Sequence, residues 1–391
     1  MRFTGEIVMN RQSPSDPKMG DEPARVLFIP QAKEATTSER TPMLLRTLKE
    51  RHDVIGLSAP WDRILYDPSR AKWLRALLYP VDKAVLGIRG ILLARRRGAG
   101  IVFCETAHHA LAGLFVAKIL GIRCVWDSHG NGVLFYRSLG KGPLSIRMIT
   151  WLERFLGQRV DVLVTVSPID AEAYKGLGLS PSKIRVLPLC VRLSDIDLAV
   201  GTPTPPEDGS ETPILLFFGS FRYEPNLEAL EFVNDVLAPS LERNGVRCEI
   251  QIAGRDIPPM AFHPLVRPIG FVPDIYGCIR SATLCIVPVR RGVGVLTKVL
   301  DSMAVGTPLV LTRFAADGIP DLRPGVHAYV AGSDEDFLRA IERALTNDGE
   351  RRAMADAARR LVERRFDWDS YLPQLEAIID GSSAVPEGAG A

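Results

Sequence analysis

The sequence is poor in the residue patterns that hold metals or disulfides. Six cysteines are present among 391 residues, but no two form a C-x-x-C pair, and no H-x-x-H pair occurs. Most of the cysteines sit in apolar runs such as IVFCE and TLCIVP, which are typical of buried strands. We therefore expect buried thiols in a reducing compartment, with neither disulfides nor a metal site.

Long apolar runs and a strong charge imbalance are also missing. No run of about 18 uncharged apolar residues exists, so no segment is predicted to span a membrane. The start of the chain lacks the apolar core of a signal peptide. The net charge of +2 gives no bulk attraction to nucleic acid. A cytoplasmic protein is expected, with a disordered extension over 1–23 and a disordered tail over 380–391.

Short apolar runs alternate with amphipathic helical stretches through most of the chain. This alternation predicts an α/β fold in which helices cover both faces of parallel sheets. A proline-rich stretch over 194–213 interrupts the alternation and is interpreted as a linker. Two Rossmann-like domains, 24–193 and 214–365, are expected on either side of a cleft. A C-terminal helix over 366–379 is expected to cross back to the first domain.

The segment over 288–312 combines a glycine loop with the start of a helix. Gly292 and Gly294 follow an apolar strand. Lys298 lies in the first helical turn, and Asp301 follows on the same face. Free backbone N–H groups, the helix dipole and a lysine together favour an anion, and an aspartate can accept hydrogen bonds from a ribose. The segment is interpreted as a nucleoside-diphosphate site; the alternative is a plain turn whose charged side chains face solvent.

The string GVGVLTKVLDSMAVGTPLV, residues 292–310, resembles the donor-binding motif of family-4 retaining glycosyltransferases, roughly G-x-G-x-x-x-K-[VI]-L-E-A-M-A-x-G-x-P-[VL]-V. Weaker similarity at other places extends the resemblance over about residues 25–377. It implies the GT-B architecture, in which two Rossmann-like domains flank a cleft, the first binding the acceptor and the second the donor. It also implies metal-independent transfer with retention at the anomeric carbon, and a nucleotide-sugar as co-substrate with no further cofactor.

The resemblance assigns roles to individual residues. Lys298 and Arg222 would neutralise the diphosphate and stabilise it as a leaving group. Asp301 would hold the ribose, and the base would lie near Phe271 and Val272. The donor-binding residues implied in this way are Gly219, Ser220, Arg222, Phe271, Val272, Gly292, Gly294, Val295, Leu296, Thr297, Lys298 and Asp301.

Three departures from the family pattern bear on these roles. Many members carry a glutamate where this sequence has Val293, so one contact to the donor sugar is lost. Asp301 replaces the usual glutamate and is one methylene shorter. The usual Gly-Gly turn after the first strand is replaced by IPQAKEATTSERTP, residues 29–42, which puts contacts from that loop in question.

Polar residues follow two predicted strands of the first domain, at the edge that faces the cleft. A histidine at the position of His129 contacts the transferred sugar in the family. We therefore take His129 and Asp127 as candidate catalytic residues beside Lys298 and Arg222. The acceptor-side candidates are Glu105, His108 and Asn131. The alternatives are that His129 is a capping residue and that His108 belongs to the polar start of a helix.

The stretch over 70–100 is rich in arginine and lysine, with Asp82 as its single acid, and carries Trp73, Tyr79 and several leucines. Such a mixture suits the surface of an anionic membrane. The alternative is a helix pair packed on the domain, with arginines that extend to solvent. In the first case the protein would be peripheral at the inner face of the membrane.

The sequence therefore predicts transfer of a hexose or similar sugar from a nucleoside-diphosphate donor to a glycan, a lipid-linked acceptor or a small molecule. Two alternatives remain. A sugar-nucleotide epimerase of the same fold would need a pair of acids to move protons, and no such pair is evident in the motifs. A catalytically degenerate binding subunit is suggested by Val293 and Asp301.

Overall fold

A computed structural model describes residues 23–30, 40–61, 65, 71–201, 212–292 and 295–382. The expected N-terminal extension, most of the C-terminal tail and much of the proline-rich stretch lie outside these residues. So do Val293 and Gly294 of the glycine loop.

The first domain is built on a six-stranded parallel sheet with the order β2-β1-β3-β4-β5-β6. Its strands are short apolar runs, and those in the middle of the sheet are buried on both faces. The predicted parallel α/β class is therefore confirmed for this half of the chain. The strands are β1 Arg25–Ile29, β2 Asp53–Gly56, β3 Ile101–Glu105, β4 Arg123–Asp127, β5 Val162–Thr165 and β6 Ile184–Val186.

Helices cover both faces of this sheet. On one face the apolar core joins the sheet to helices that follow β2, β3, β4 and β5. On the other face it joins the sheet to the helix after β1 and to the C-terminal segment. The helices are α1 Arg40–Arg51, α2 Lys72–Arg97, α3 Thr106–Leu120, α4 Gly132–Ser138, α5 Pro143–Arg159 and α6 Pro168–Gly176.

The second domain repeats the architecture, with a parallel sheet in the order β12-β11-β10-β7-β8-β9. The short strand β12 was not predicted from the sequence, because three residues carry too little periodicity. The strands are β7 Ile214–Ser220, β8 Glu249–Arg255, β9 Val266–Gly270, β10 Leu284–Val287, β11 Leu309–Thr312 and β12 Tyr329–Ala331.

The helices of the second domain pack on this sheet around one large apolar core. A π-helical turn over Val233–Leu237 joins the first two of them. They are α8 Glu224–Phe232, α9 Ala238–Arg243, α10 Ile275–Ser281, α11 Thr297–Val305, α12 Arg313–Asp317, α13 Asp334–Thr346 and α14 Asp348–Arg365.

The predicted linker begins later than expected. Residues Leu193–Val200 form helix α7, which contacts α10 and α11 of the second domain. Leu193 and Ile196 are buried in the second-domain core, which explains why this segment is helical despite its polar composition. The rest of the stretch, residues 202–211, lies outside the described residues.

The C-terminal segment leaves the second domain and packs on the first. A 3₁₀ turn over Trp368–Tyr371 and helix α15, Leu372–Asp380, contribute apolar side chains to the core beneath β1, β3 and β4. The Trp368 indole donates a hydrogen bond to Thr47 Oγ1 at 2.8 Å. The chain therefore passes between the two domains twice, and the two crossings lie side by side, since Val191 N donates to the Phe366 carbonyl at 2.9 Å and Trp368 N donates to the Val191 carbonyl at 2.8 Å.

Candidate active site

Lys298 is held inside the second domain at the carboxyl edge of its sheet. It lies in the first turn of α11, and its side chain is buried. Its Nζ donates a hydrogen bond to Asn226 Oδ1 at 2.7 Å and lies 4.7 Å from the ring centroid of Phe217 on β7. The ammonium is thus fixed between a strand end and two helix starts, where an anion would also meet free backbone N–H groups.

Burial lowers the pKa of Lys298 to about 7. Among the described residues no carboxylate forms an ion pair with it, and its polar partner is a neutral amide oxygen. A bound diphosphate would supply the missing negative charge and raise this pKa again. The charged form of Lys298 is therefore more favourable with an anionic ligand bound than in the free protein.

This lowered pKa predicts proton uptake when an anion binds. At about pH 8.5 free Lys298 is largely neutral, so we expect a diphosphate diester, whose phosphates do not titrate there, to bind with uptake of nearly one proton. At about pH 6 no uptake is expected, and affinity should fall by up to about tenfold per pH unit above 7. Calorimetry in two buffers of different ionisation enthalpy measures the uptake. Heat that is independent of the buffer at pH 8.5 would contradict the prediction.

Two glycines of this region are in close contact with neighbouring side chains, and one of them, Gly219, lies beside the lysine. Gly219 has φ +151°, and a Cβ there would lie 2.9 Å from Asn226 Nδ2 and 3.0 Å from Lys298 Nζ. Gly292 has φ +138°, and a Cβ there would lie 2.7 Å from Tyr223 Oη. Both positions therefore require glycine, for backbone conformation and for space.

The other predicted donor residues are placed around the same edge. Val295 is buried, Leu296 and Thr297 are half-buried, and the Ser220 carbonyl accepts a hydrogen bond from Asn226 Nδ2 at 2.8 Å. Gly294 lies outside the described residues. Asn226 was missed by the sequence analysis, although it stands in the polar start of a helix directly after the strand and its Gly219–Tyr223 loop.

Arg222 and Phe271 lie at exposed positions beyond β7 and β9. The Arg222 guanidinium donates to Asp256 Oδ1 at 3.2 Å, so its partner in this structure is a carboxylate of the neighbouring loop. The Phe271 ring is 57% exposed and stacks with the Arg255 guanidinium, which lies 4.5 Å from the ring centroid. Val272 packs on the second-domain core. An exposed aromatic ring with a cation on it offers a platform for a flat base.

The cleft between the domains contains a cavity of about 220 Å³. Thr297 and Asp301 line it from the second domain. Asp301, the residue predicted to hold the ribose, therefore lies at the cleft. The remaining lining residues come from both domains and are Arg40, Pro42, Met43, Arg46, Leu189, Cys190, Val191, Arg192, Asp195 and Tyr276.

In the first domain, Glu105 and Asp127 end the adjacent strands β3 and β4 and are directly paired in register. Both side chains are fully buried. His129 follows with a left-handed backbone, φ +55°. Its Nε2 lies 3.3 Å from Glu105 Oε1 and 3.7 Å from Asp127 Oδ2. The structure thus brings together three residues that the sequence analysis had placed at two separate strand ends.

Arg40 and Thr41, at the start of α1, complete this cluster. The buried Arg40 guanidinium donates from Nε to Asp127 Oδ2 at 2.9 Å and from Nη2 to Asp127 Oδ1 at 3.2 Å. Thr41 Oγ1 donates to Glu105 Oε2 at 2.8 Å. The sequence analysis missed both residues, although the pattern R-T-P is a signal for a helix start, and a helix after the first strand begins near the cleft edge.

Glu105, Asp127 and His129 are also potential metal ligands, since one ligand atom from each lies within 4.8 Å of the others. Both oxygens of Asp127, however, already accept hydrogen bonds from the Arg40 guanidinium. A divalent cation would have to share that carboxylate with a fixed positive charge. The arrangement fits a hydroxyl-rich ligand better than a cation.

Asn131 and His108 have structural partners. Asn131 is buried and caps α4, accepting a hydrogen bond from Leu134 N at 2.9 Å. His108 Nδ1 lies 2.7 Å from Tyr79 Oη on α2, and burial lowers the pKa of His108 to about 4. The alternative interpretation of His108, as part of a polar helix start, agrees with this contact.

Comparisons with known proteins place the fold. Residues 11–190 match a glycosyl transferase 4-like domain, and residues 212–347 match the family described as glycosyl transferases group 1. No curated protein sequence shows significant similarity to the chain.

Similar solved structures include sucrose-phosphate synthase from Thermosynechococcus elongatus (TM-score 0.67, 14% identity, covering 91% of this chain and 98% of that one). Others are Anabaena HepE in complex with UDP (0.65, 13%, 91% and 100%) and a UDP-forming α,α-trehalose-phosphate synthase from Burkholderia vietnamiensis (0.65, 12%, 92% and 100%). The two matched domains, in this order and with this shared fold, identify the chain as a glycosyltransferase of the GT-B fold.

Proposed function

We propose that the protein transfers a sugar from a nucleoside-diphosphate-sugar to an acceptor hydroxyl, with retention at the anomeric carbon and without a metal. The observation that carries this proposal is Lys298, a buried amine at a helix start with no carboxylate partner among the described residues. Gly219 keeps the space beside its ammonium open, since a Cβ there would lie 3.0 Å from Lys298 Nζ. Such a site binds a diphosphate and stabilises the charge that develops on it as it leaves.

The donor would lie along the edge of the second domain. Its diphosphate would contact Lys298 and the backbone N–H groups at the start of α11, with Arg222 as a second cation once it leaves Asp256. Asp301 would accept hydrogen bonds from the ribose, and Phe271 would support the base. Structures similar to this chain have been determined with UDP and UDP-glucose, which favours a UDP-sugar as donor here.

The transferred sugar would face the first domain, where His129, Glu105 and Asp127 meet. The two carboxylates can accept hydrogen bonds from sugar hydroxyls, and the His129 ring can accept or donate one. Retention is implied by the family resemblance. In a retaining transfer of this kind, the bond from the sugar to the diphosphate breaks as the new glycosidic bond forms, and the departing diphosphate takes the proton of the acceptor hydroxyl. No protein nucleophile is then needed. The acceptor would be a glycan, a lipid-linked sugar or a small molecule.

The acid pair that an epimerase requires does occur in the structure, as Glu105 and Asp127. Asp127, however, accepts hydrogen bonds from both Nε and Nη2 of Arg40, so both of its oxygens are engaged in a buried ion pair. A role in moving a substrate proton would require Asp127 to leave this pair, and an unpartnered Arg40 would then remain buried. The transferase is therefore the better supported function.

Nucleotide binding and product analysis test the proposal together. Thermal unfolding with UDP, GDP, ADP and dTDP should show one preferred nucleotide, which at 100 times its dissociation constant stabilises by about 2.7 kcal/mol. Incubation of the matching nucleotide-sugar with acceptors should release the nucleotide only when an acceptor is present. EDTA should leave the rate unchanged, since the proposed transfer uses no metal. Conversion of the donor sugar without an acceptor would indicate the epimerase, and binding without turnover the degenerate subunit.

A further inference from the structure

Exposed apolar side chains of this protein concentrate on three helices of the first domain. Of the fifteen large apolar residues exposed among the described residues, five lie on α2, two on α3 and three on α5. Those on α2 recur at helical spacing along its length. The ten are Trp73, Leu77, Val81, Ile88, Leu92, Phe115, Ile119, Leu144, Met148 and Trp151.

The three helices form one layer on the same face of the first sheet. Helix α3 packs against both α2 and α5. The contact between α2 and α3 is close: a Cβ on Gly87 would lie 3.0 Å from Cδ1 of Phe115, and one on Gly90 would lie 2.7 Å from Cγ2 of Val116. The exposed apolar residues therefore lie on neighbouring helices, and we call this layer the α2–α3–α5 face.

The charge of this face has one sign. Its acidic residues, Asp82 and Glu153, are buried with 0% and 2% exposure. Because the whole chain has a net charge of only +2, this concentration of positive charge is local. The exposed basic residues of the three helices are Arg89, Arg95, Arg96, Arg97, Lys118, Arg147, Arg154 and Arg159.

We propose that the α2–α3–α5 face docks on an anionic lipid bilayer. Apolar side chains enter the boundary of the headgroups while arginines bind lipid phosphates, and Trp73 and Trp151 suit that boundary. No helix in the described part of the chain is long and apolar enough to cross a membrane, so the contact lies on the surface. A symmetric dimer through this face would bring like charges together, which disfavours a second copy as the occupant.

The position of this face also indicates the class of acceptor, and this step rests on the proposed transfer. Helices α2 and α5 connect parallel strands, so their N-terminal ends lie at the carboxyl edge of the sheet, where Glu105 and Asp127 stand. The contact between Tyr79 Oη and His108 Nδ1 at 2.7 Å ties the first half of α2 to the start of α3 at this edge. Trp73 and Leu144, near those ends, would bring the bilayer next to the cleft. The acceptor is then a lipid-linked sugar.

Flotation of the full chain with vesicles tests the docking. Phosphatidylcholine vesicles are compared with vesicles that also contain phosphatidylglycerol, in the absence of donor. We expect binding to the anionic vesicles only. The triple variant Arg95→Ala/Arg96→Ala/Arg97→Ala should bind about a hundredfold more weakly, since each basic residue near the surface contributes about 1 kcal/mol. The matched control, Arg352→Ala/Arg360→Ala/Arg364→Ala, removes three exposed arginines from α14 and should bind like the wild type.

A second pair of variants measures the contribution of the apolar side chains to vesicle binding, separately from that of the arginines. Ile88→Gln/Leu92→Gln should weaken vesicle binding, whereas Leu198→Gln/Val236→Gln, at exposed sites elsewhere, should leave it unchanged. Equal binding to neutral vesicles, no binding to either kind, or a dimer that Ile88→Gln/Leu92→Gln dissociates would overturn the proposal. Calorimetry with UDP, GDP, ADP and dTDP on the same variants tests the donor site independently. Vesicle binding without donor binding would refute the transferase and leave the docking surface intact.

Discussion

Replacing Lys298 with methionine is expected to lower kcat by a factor of roughly 10²–10³, the usual loss when one group that stabilises developing charge is removed. The effect should be large because the ammonium is buried, where its interaction with a diphosphate is weakly screened. Nucleotide-dependent stabilisation should be lost in the same variant. Steady-state kinetics with the nucleotide-sugar, together with thermal unfolding with and without UDP, measure both effects.

Lys49→Met is the matched control for this variant. Lys49 is exposed on α1, so the substitution removes the same charge outside the second domain. It should change neither kcat nor the stabilisation by UDP. If Lys298→Met kept wild-type stabilisation by UDP, the diphosphate would have to bind elsewhere, and the assignment of this site would be wrong.

Breaking the Arg40–Asp127 ion pair is expected to have a large effect on the free energy of unfolding. Both side chains are fully buried. Arg40→Met or Asp127→Asn alone should destabilise the protein by about 3–5 kcal/mol, because each leaves the other partner charged or polar in the interior without its counterpart. The double variant should cost much less than the sum of the single variants. Denaturant unfolding of the four proteins gives this double-mutant cycle.

An exposed pair provides the comparison. Arg313 Nε lies 3.0 Å from Asp317 Oδ1, but both side chains are more than half exposed. Arg313→Met should therefore change the free energy of unfolding by no more than about 1 kcal/mol. Additive costs for Arg40→Met and Asp127→Asn would show that the two residues do not stabilise the fold as a pair.

The residues of the proposed donor site could be selected from the sequence because they are close along the chain. The glycine loop, Lys298 and Asp301 fall within ten residues, and a strand followed by a loop and a helix fixes their relative positions. Asn226 could not be assigned in the same way. It lies 72 residues from Lys298, and only the tertiary fold of the second domain brings the two side chains together.

The polar cluster of the first domain, where we propose that the transferred sugar lies, depends on contacts that are distant in sequence. Glu105 and Asp127 meet because β3 and β4 pair in that register, and a shift of one residue would send one of them to the other face. Arg40 reaches Asp127 across 87 residues. A buried arginine also contradicts its usual surface preference, so composition alone gave no reason to select it.

By itself the sequence determined the two parallel α/β domains, the glycine loop for which we propose diphosphate binding, and the unusual mixture of basic and aromatic residues over 70–100. These are properties of short segments, set by local periodicity and spacing. Only the tertiary structure decided that residues 193–200 belong to the second domain, that Arg40 closes the acidic cluster, and that α3 and α5 extend the apolar surface of α2. The reason is that each depends on which face of an element is covered by a distant part of the chain.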